Sequence, residues 1–219
     1  MLVANDTELL IFSGWTLRQR RASQEPARLL LLLHGWTGDE NSMWVFTRDL
    51  SPRYWTLAPR APHAASPAGF SWRPPHDSTF GRPSLEMLRP SAQALISLVD
   101  GFAAAHGLDA TTFDVIGFSQ GAALLGVLTL LYPSRLQKVA ILAGFLPTGA
   151  EEIIQSVPLR GKRIFVAHGT QDELVAVERA RQSITLLEQA GAEVIYCEDT
   201  VGHKVSATCL RAMQAYLQD

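Results

Sequence analysis

Short apolar runs alternate with longer segments of helical periodicity along most of this chain. Residues 28–33, RLLLLL, are apolar almost throughout, as expected for a strand that is covered on both faces of a sheet. Residues 84–106 instead repeat apolar side chains every three to four positions, which predicts a long helix. Gly107 marks the expected end of that helix.

The same criteria predict eight strands and four helices. The strands are expected at residues 7–12, 15–20, 28–33, 55–58, 112–116, 139–142, 163–167 and 193–197. The helices are expected at residues 84–106, 121–132, 176–189 and 205–217. After a first antiparallel hairpin, strands and helices alternate, which predicts an α/β fold with a mostly parallel sheet and helices on both faces. We expect a single domain, residues 1–219, because no repeat or linker interrupts the pattern.

Residues 59–83 fit neither pattern. This segment contains six prolines together with the aromatic residues Phe70, Trp72 and Phe80. A long segment without periodicity is either a functional loop or a flexible one. Because flexible linkers rarely contain so many aromatic side chains, we expect an ordered excursion over one edge of the sheet.

Composition and charge exclude several classes of function. The chain has 47% hydrophobic and 18% charged residues and a net charge of −2, so no basic surface for nucleic acid is expected. The longest apolar run is far shorter than the ~20 residues of a membrane span, so no stable membrane insertion is expected. The N-terminal residues do not resemble a signal peptide.

We expect Cys197 and Cys209 to be ordinary thiols of a cytoplasmic protein, with a disulfide between them as the alternative.

The motif GFSQG, residues 117–121, holds Ser119 between two glycines where a strand gives way to a helix. In a sharp strand-to-helix turn, a serine is exposed as a nucleophile, and Gly117 and Gly121 let the strand and helix approach closely. The alternative is that Ser119 merely caps the helix. A capping role accounts only for the serine, whereas a nucleophile in a tight turn accounts for the serine and for both glycines.

A serine nucleophile needs a general base and an acid that orients the base. Asp172 follows the strand 163–167, and His203 follows the strand 193–197. The chain order Ser, Asp, His is the order of α/β-hydrolase triads, and all three residues follow strand ends. Taken singly, Asp172 could be a helix cap and His203 a surface histidine.

Three other residues compete for these roles. Glu198 and Asp199 adjoin His203 in sequence, but they lie at the last strand, after the usual position of the acid. His168 is expected to bind loop backbone around Asp172.

The loop after residues 28–33 is expected to supply part of an oxyanion hole. Its glycines let backbone N–H groups turn inward, and the N–H of Trp36 is the candidate there. The N–H of Gln120, in the turn after Ser119, is the other candidate donor. His34 is expected to hold this loop in place by hydrogen bonds and to take no part in catalysis. Asp39, Glu40 and His34 do not have the spacing of a metal site, so no metal or cofactor is expected.

With these motifs in place, the chain resembles the phospholipase/carboxylesterase family of α/β-hydrolases, which includes the acyl-protein thioesterases. The matching stretches are LLLHGWTGDENSMW, LAPRAPH, GFSWR, VIGFSQGA, ILAGFLP, VAHGTQDELV and GHKV. The resemblance implies an α/β-hydrolase fold with nucleophile Ser119, acid Asp172, base His203, and the Trp36 and Gln120 N–H groups as oxyanion donors. The chain departs from the family in Leu174-Val175-Ala176, where proline is common, and in the composition of residues 59–83.

The predicted function is a serine carboxylesterase that acts on small to medium acyl esters, with thioesters and lysophospholipids also open. The gaps between strands leave no room for a large cap domain. Phe70, Trp72, Phe145 and Leu146 are expected to line the acyl-binding cleft, with plain core packing as the alternative. A non-catalytic ligand-binding protein and a peptidase of the same fold are the alternative functions. The sequence predicts no oligomeric state.

Overall fold

The computed structural model describes residues 6–75 and 82–218, and their architecture confirms the predicted α/β fold. The described strands are β1 (Glu8–Phe12), β2 (Trp15–Arg20), β3 (Arg28–Leu33), β4 (Tyr54–Pro59), β5 (His63–Ala64), β6 (Phe70–Ser71), β7 (Phe113–Phe118), β8 (Leu136–Leu142), β9 (Arg163–Gly169) and β10 (Glu193–Asp199). The α-helices are α1 (Leu85–His106), α2 (Gln120–Leu131), α3 (Glu151–Ile154), α4 (Val177–Gln189) and α5 (Ala207–Gln218).

Eight strands form one sheet in the order β1-β2-β4-β3-β7-β8-β9-β10. β1 and β2 form the predicted antiparallel hairpin, and β2 is also antiparallel to β4. From β4 to β10 all neighbouring strands are parallel. The carboxyl ends of these strands therefore share one edge of the sheet, where ligands bind in such folds.

The leucines of β3 explain why this strand has an uninterrupted apolar sequence. Leu29, Leu31 and Leu33 pack into a core with α1 and α2, on one face of the sheet. Leu30 and Leu32 pack into a second core with α5, on the other face. Because successive side chains point to opposite faces, a strand covered on both sides needs apolar residues at every position.

The described part of residues 59–83 is an ordered excursion, as predicted. β5 and β6 form a two-stranded ribbon that pairs with the loop after β3 through the Thr37 N–H and Phe70 carbonyl (3.0 Å). The backbone N–H of Trp72 also donates to the side-chain oxygen of Gln120 at 2.9 Å. These bonds join the excursion to the loop after β3 and to the start of α2. Phe80 lies outside the described residues.

Cys197 and Cys209 form a disulfide, so the prediction of two ordinary thiols was wrong. Cys197 lies on the edge strand β10 and Cys209 on α5, and their Cα atoms are 5.6 Å apart, within the range that a disulfide spans. β10 and α5 lie side by side, so two cysteines that are twelve positions apart in sequence come together. The cytoplasmic location stays a prediction.

Replacing both cysteines by serine is expected to lower the free energy of unfolding by about 3 kcal/mol, because a closed loop of this length restricts the unfolded chain. Urea denaturation of the oxidised wild type, the reduced wild type and the double variant measures the change. Equal midpoints for all three proteins would contradict it.

No described helix combines the length and the apolar character that crossing a bilayer requires.

Candidate active site

Ser119 occupies the junction between β7 and α2 in a strained backbone conformation. Its φ is 54° and its ψ is −115°, in the left-handed half of conformational space that residues with a Cβ rarely adopt. The Ser119 side chain makes no capping hydrogen bond with α2, so the capping alternative does not describe it. Such strain persists where the surroundings enforce it, and it is typical of a serine nucleophile at a strand-to-helix turn.

The glycines on either side of Ser119 have a steric cause. A Cβ on Gly117 would lie 2.6 Å from the Gly121 carbonyl oxygen and 2.9 Å from the Cα of Ala122. A Cβ on Gly121 would overlap the carbonyl oxygens of Leu33 and His34. The turn is thus packed against both its own helix and the end of β3.

A Gly121→Ala variant is expected to lose about 1–3 kcal/mol of unfolding free energy or more, because backbone atoms must move to admit the methyl group. Gly101→Ala is the matched control: Gly101 lies within α1, and a Cβ there would meet only a Phe12 ring carbon at 3.7 Å. The control should gain about 0.5–1 kcal/mol. Thermal and urea unfolding compare the two, and equal stability would refute the steric explanation.

Three side chains from separate loops form a continuous hydrogen-bond chain. His203 Nε2 is 2.9 Å from Ser119 Oγ, and His203 Nδ1 is 2.7 Å from Asp172 Oδ2. The Nδ1–H donates to the carboxylate, which leaves Nε2 to accept from the hydroxyl. The loops after β7, β9 and β10 meet at one sheet edge, which is how residues so distant in sequence come together.

Asp172 is buried, and its other oxygen is also engaged. Oδ1 accepts the backbone N–H groups of Leu174 (2.9 Å) and Val175 (2.8 Å). α4 begins at Val177, after Ala176, so Asp172 is not its cap. His168 donates from Nε2 to the Val175 carbonyl at 2.8 Å, which agrees with its predicted role of binding the loop around Asp172.

The competing carboxylates have partners elsewhere. Glu198 forms an ion pair with Arg181 at 2.8 Å and accepts from the Tyr196 hydroxyl at 2.5 Å. Asp199 accepts the N–H of Thr200 at 2.7 Å. Neither contact involves His203.

The loop after β3 lies directly against the serine. A Cβ on Gly35 would lie 3.2 Å from the Cβ of Ser119, so the backbone at Gly35 packs closely against the Ser119 side chain. Gln120 is the first residue of α2, where backbone N–H groups have no partner within the helix. Both predicted oxyanion donors are thus neighbours of Ser119.

His34 holds this loop as a neutral imidazole. Its Nε2 accepts the Ala61 N–H at 3.0 Å, so its Nδ1–H donates to the Gly35 carbonyl at 2.7 Å. In a trans peptide the following N–H points away from that carbonyl, so the bond fixes the direction of the Trp36 N–H. Burial lowers the pKa of His34, which favours the neutral form.

The free energy of unfolding is expected to fall as the pH drops below about 6.5. Because its pKa is lowered by folding, His34 binds a proton in the unfolded chain at pH values where the folded protein excludes it. This single group contributes at most about 1.4 kcal/mol per pH unit. Urea titrations at about pH 7 and pH 5.5 should show a smaller pH effect in His34→Gln than in the wild type; equal effects would contradict the prediction.

A cavity of about 160 Å³ opens beside Ser119. It is lined by Trp36, Arg73, Pro83, Ser119, Gln120, Phe145, Leu174 and Val175. A second, largely apolar groove of about 480 Å³ is also lined by Trp36. A larger groove of about 790 Å³ between β1, β2 and residues 47–54 contains none of the three hydrogen-bonded residues.

Only one of the four predicted cleft residues, Phe145, lines the cavity. Trp72 is fully buried, with its indole N–H donating to the His34 carbonyl at 2.7 Å, and Leu146 packs in the core. Phe70 packs under the Arg60 guanidinium, 4.6 Å from the ring centroid. The core-packing alternative therefore describes these three residues.

Sequence reasoning missed Arg73 and Leu174 as cavity residues. Both lie within stretches of the sequence that resemble the family, GFSWR and VAHGTQDELV, but no local pattern marks either residue as part of a cavity wall. Among the described residues, no three His, Cys, Asp or Glu side chains are grouped so that they could hold a metal ion.

Known proteins resemble this chain over most of its length. The model of a family described as Phospholipase/Carboxylesterase matches residues 19–219. Carboxylesterase SOBER1 of Arabidopsis thaliana is 31% identical over 120 residues, which cover 52% of this chain and 51% of that protein. This match thus spans about half the length of that relative.

Two further proteins extend the comparison. A protein of Oryza sativa subsp. japonica named as a probable inactive carboxylesterase is 28% identical over 200 residues, covering 82% of this chain and 79% of that protein. The crystal structure of a carboxylesterase from Mesorhizobium loti has a TM-score of 0.81 at 25% identity, and the match covers 98% of this chain and 99% of that one.

Proposed function

The chain belongs to the phospholipase/carboxylesterase family of α/β-hydrolases, and from that premise we propose that it is a serine carboxylesterase with the catalytic triad Ser119, His203 and Asp172. The observation that carries the proposal is the pair of hydrogen bonds that joins the three side chains, 2.9 Å and 2.7 Å long. Its substrate is a small-molecule acyl ester.

In the first half of the reaction, His203 Nε2 takes the proton of the Ser119 hydroxyl while Oγ attacks the ester carbonyl carbon. Asp172 holds His203 in the tautomer that leaves Nε2 ready to accept, and it stabilises the imidazolium that forms. The backbone N–H groups of Trp36 and Gln120 donate to the oxyanion of the tetrahedral intermediate.

Collapse of this intermediate breaks the bond to the alcohol. The imidazolium gives its proton to the departing oxygen, and the acyl group stays on Oγ as an acyl-enzyme. His203 then takes a proton from water, the resulting hydroxide attacks the acyl carbon, and Ser119 regains its proton as the carboxylic acid leaves.

The cavity volume supports short acyl groups. Its 160 Å³ corresponds to about five groups of the size of a water molecule. We therefore expect acetyl to butyryl esters to be better substrates than long-chain esters.

A non-catalytic ligand-binding protein is the second candidate, because one relative is named as a probable inactive carboxylesterase. Against it, all three groups that the reaction requires are present and hydrogen-bonded in this chain.

Labelling with a fluorophosphonate probe separates the two functions. The wild type should be labelled and Ser119→Ala should not, while Ser97→Ala, which changes an exposed serine of α1, should be labelled like the wild type. Hydrolysis of p-nitrophenyl esters of increasing acyl length then measures the preference for chain length. Absence of labelling in folded wild type would favour the binding protein.

A further inference from the structure

An apolar groove of about 480 Å³ lies next to the three hydrogen-bonded residues. Its lining residues come from the loop after β3, the end of β7 and the chain around the start of α5. Met43 and Phe46 belong to the core below it, and the Phe46 ring stacks on the Phe118 ring with 5.9 Å between centroids. Trp36 and Val45, which also line the groove, leave 41% and 49% of their surfaces exposed. A contiguous exposed apolar surface of this kind marks a place where a ligand or a partner binds.

The polar side chains of this groove are engaged within the loop after β3. The Thr37 hydroxyl donates to the Trp36 carbonyl at 2.6 Å, and the Ser42 hydroxyl donates to the Asp39 carboxylate at 2.9 Å. Among the described residues that line the groove, Lys204 alone carries a charge, and it is exposed to solvent. A molecule bound here would therefore gain mainly by covering apolar surface.

The groove lies on the His203 side of the candidate site. Phe118 packs against the His203 ring with 5.1 Å between centroids. Lys204 and Val205, which line the groove, directly follow His203 in the chain. In the proposed reaction His203 protonates the departing oxygen, so the alcohol of the ester begins beside this ring. The acyl carbon instead bonds to Ser119, which lines the 160 Å³ cavity and not the groove. The cavity therefore suits the acyl group, and the groove suits the alcohol.

We propose that this groove binds the leaving group, so that the enzyme prefers esters of short acids with apolar alcohols, such as alkyl alcohols of about four to eight carbons. The preference rests on the proposed esterase function and adds the class of alcohol. The volume of 480 Å³ corresponds to about sixteen groups of the size of a water molecule, so such a chain fits even if it fills only half of the groove. Lysophospholipids fit neither recess well, because their long chain is on the acyl side and their charged headgroup would meet the apolar groove.

Hexyl acetate and ethyl acetate test the preference, since they share the acyl group and their alcohols differ only in the length of the alkyl chain. Release of acetic acid, followed by titration at constant pH, gives kcat/KM for each ester. A methylene group removed from water favours binding about fourfold, and an open groove covers about half of each of the four added groups, so hexyl acetate should be favoured about 10-fold. A ratio below about threefold, which is less than one fully buried methylene group provides, would overturn the proposal and leave the esterase function standing.

Ethyl hexanoate is the matched control, because it is an isomer of hexyl acetate with the long chain moved to the acyl side. A general preference for apolar esters would favour both isomers alike, whereas binding of the alcohol in the groove should favour hexyl acetate about 10-fold. An equal or higher kcat/KM for ethyl hexanoate would overturn the proposal. If none of the three esters reacts and the fluorophosphonate probe does not label the protein, the esterase function itself fails.

Variants locate the effect. Val45→Gln places an amide at a half-exposed position of the groove and should lower the ratio of kcat/KM for hexyl acetate to that for ethyl acetate about 3- to 10-fold. Val45→Ser should lower the ratio in the same way, and it serves if Val45→Gln does not fold. Ile11→Gln makes the same kind of change at an exposed position of β1, which contributes no residue to the groove, and should keep the wild-type ratio. A ratio unchanged by both replacements of Val45 would show that the alcohol does not bind in the groove.

Discussion

Replacing Ser119 by alanine is expected to lower kcat for a short-chain ester by about 10⁶. The variant has no oxygen to attack the carbonyl and no hydroxyl for His203, 2.9 Å away, to deprotonate. The proposed oxyanion donors are backbone groups and remain, so a rate about 10³–10⁴ above the uncatalysed rate should persist. Steady-state hydrolysis of p-nitrophenyl butyrate measures the loss.

The thermal stability of Ser119→Ala is the control, because it shows whether the variant is still folded. Alanine must adopt the same φ of 54°, so the backbone strain is retained, and the melting temperature should change by no more than a few degrees. If the folded variant kept more than about one hundredth of the wild-type activity, Ser119 would not be the nucleophile.

Asp172→Asn is expected to lower kcat by about 10⁴, measured with the same ester. The new carboxamide would keep its oxygen toward the N–H groups of Leu174 and Val175 and so turn its NH₂ group toward His203. Two donors would then face each other, so the imidazole would move its proton to Nε2. That nitrogen could no longer accept the proton of the serine.

Glu198→Gln is the matched control, because it also removes one charge near the last strand but affects only the pair with Arg181 and Tyr196. It should keep the wild-type rate. If Glu198→Gln lost as much activity as Asp172→Asn, the assignment of Asp172 as the acid would be wrong.

Most of the sheet could be predicted because each strand has a local signal. The leucine run of residues 28–33 became β3 with the predicted bounds, and the strands predicted at 112–116, 163–167 and 193–197 became β7, β9 and β10, each two residues longer at its carboxyl end. Most of the residues that these strands gain at their carboxyl ends are polar or small, so the apolar pattern of each strand ended before them. α3 was missed since four residues are too few to show a helical period.

The candidate triad could be predicted for a different reason. A strand-to-helix turn that contains Ser119 restricts its neighbours to glycine, and parallel strands bring their following loops to one edge. No local sequence rule of this kind predicts which residues line the cavity. Trp72 and Arg73 are adjacent in sequence, yet the tryptophan enters the core and the arginine reaches the cavity, and only tertiary packing decides between them.

The disulfide could not be predicted for a related reason, since pairing depends on the distance between two elements rather than on the spacing of cysteines. The disulfide also has a consequence for His203, the proposed base. Cys197 and Cys209 lie on opposite sides of His203 in the chain, so the imidazole is carried by a covalent ring whose two ends belong to β10 and α5. The covalent link fixes both ends of the loop that carries this imidazole to the edge strand and the last helix, so reducing the disulfide should let those ends separate more readily than in the oxidised protein.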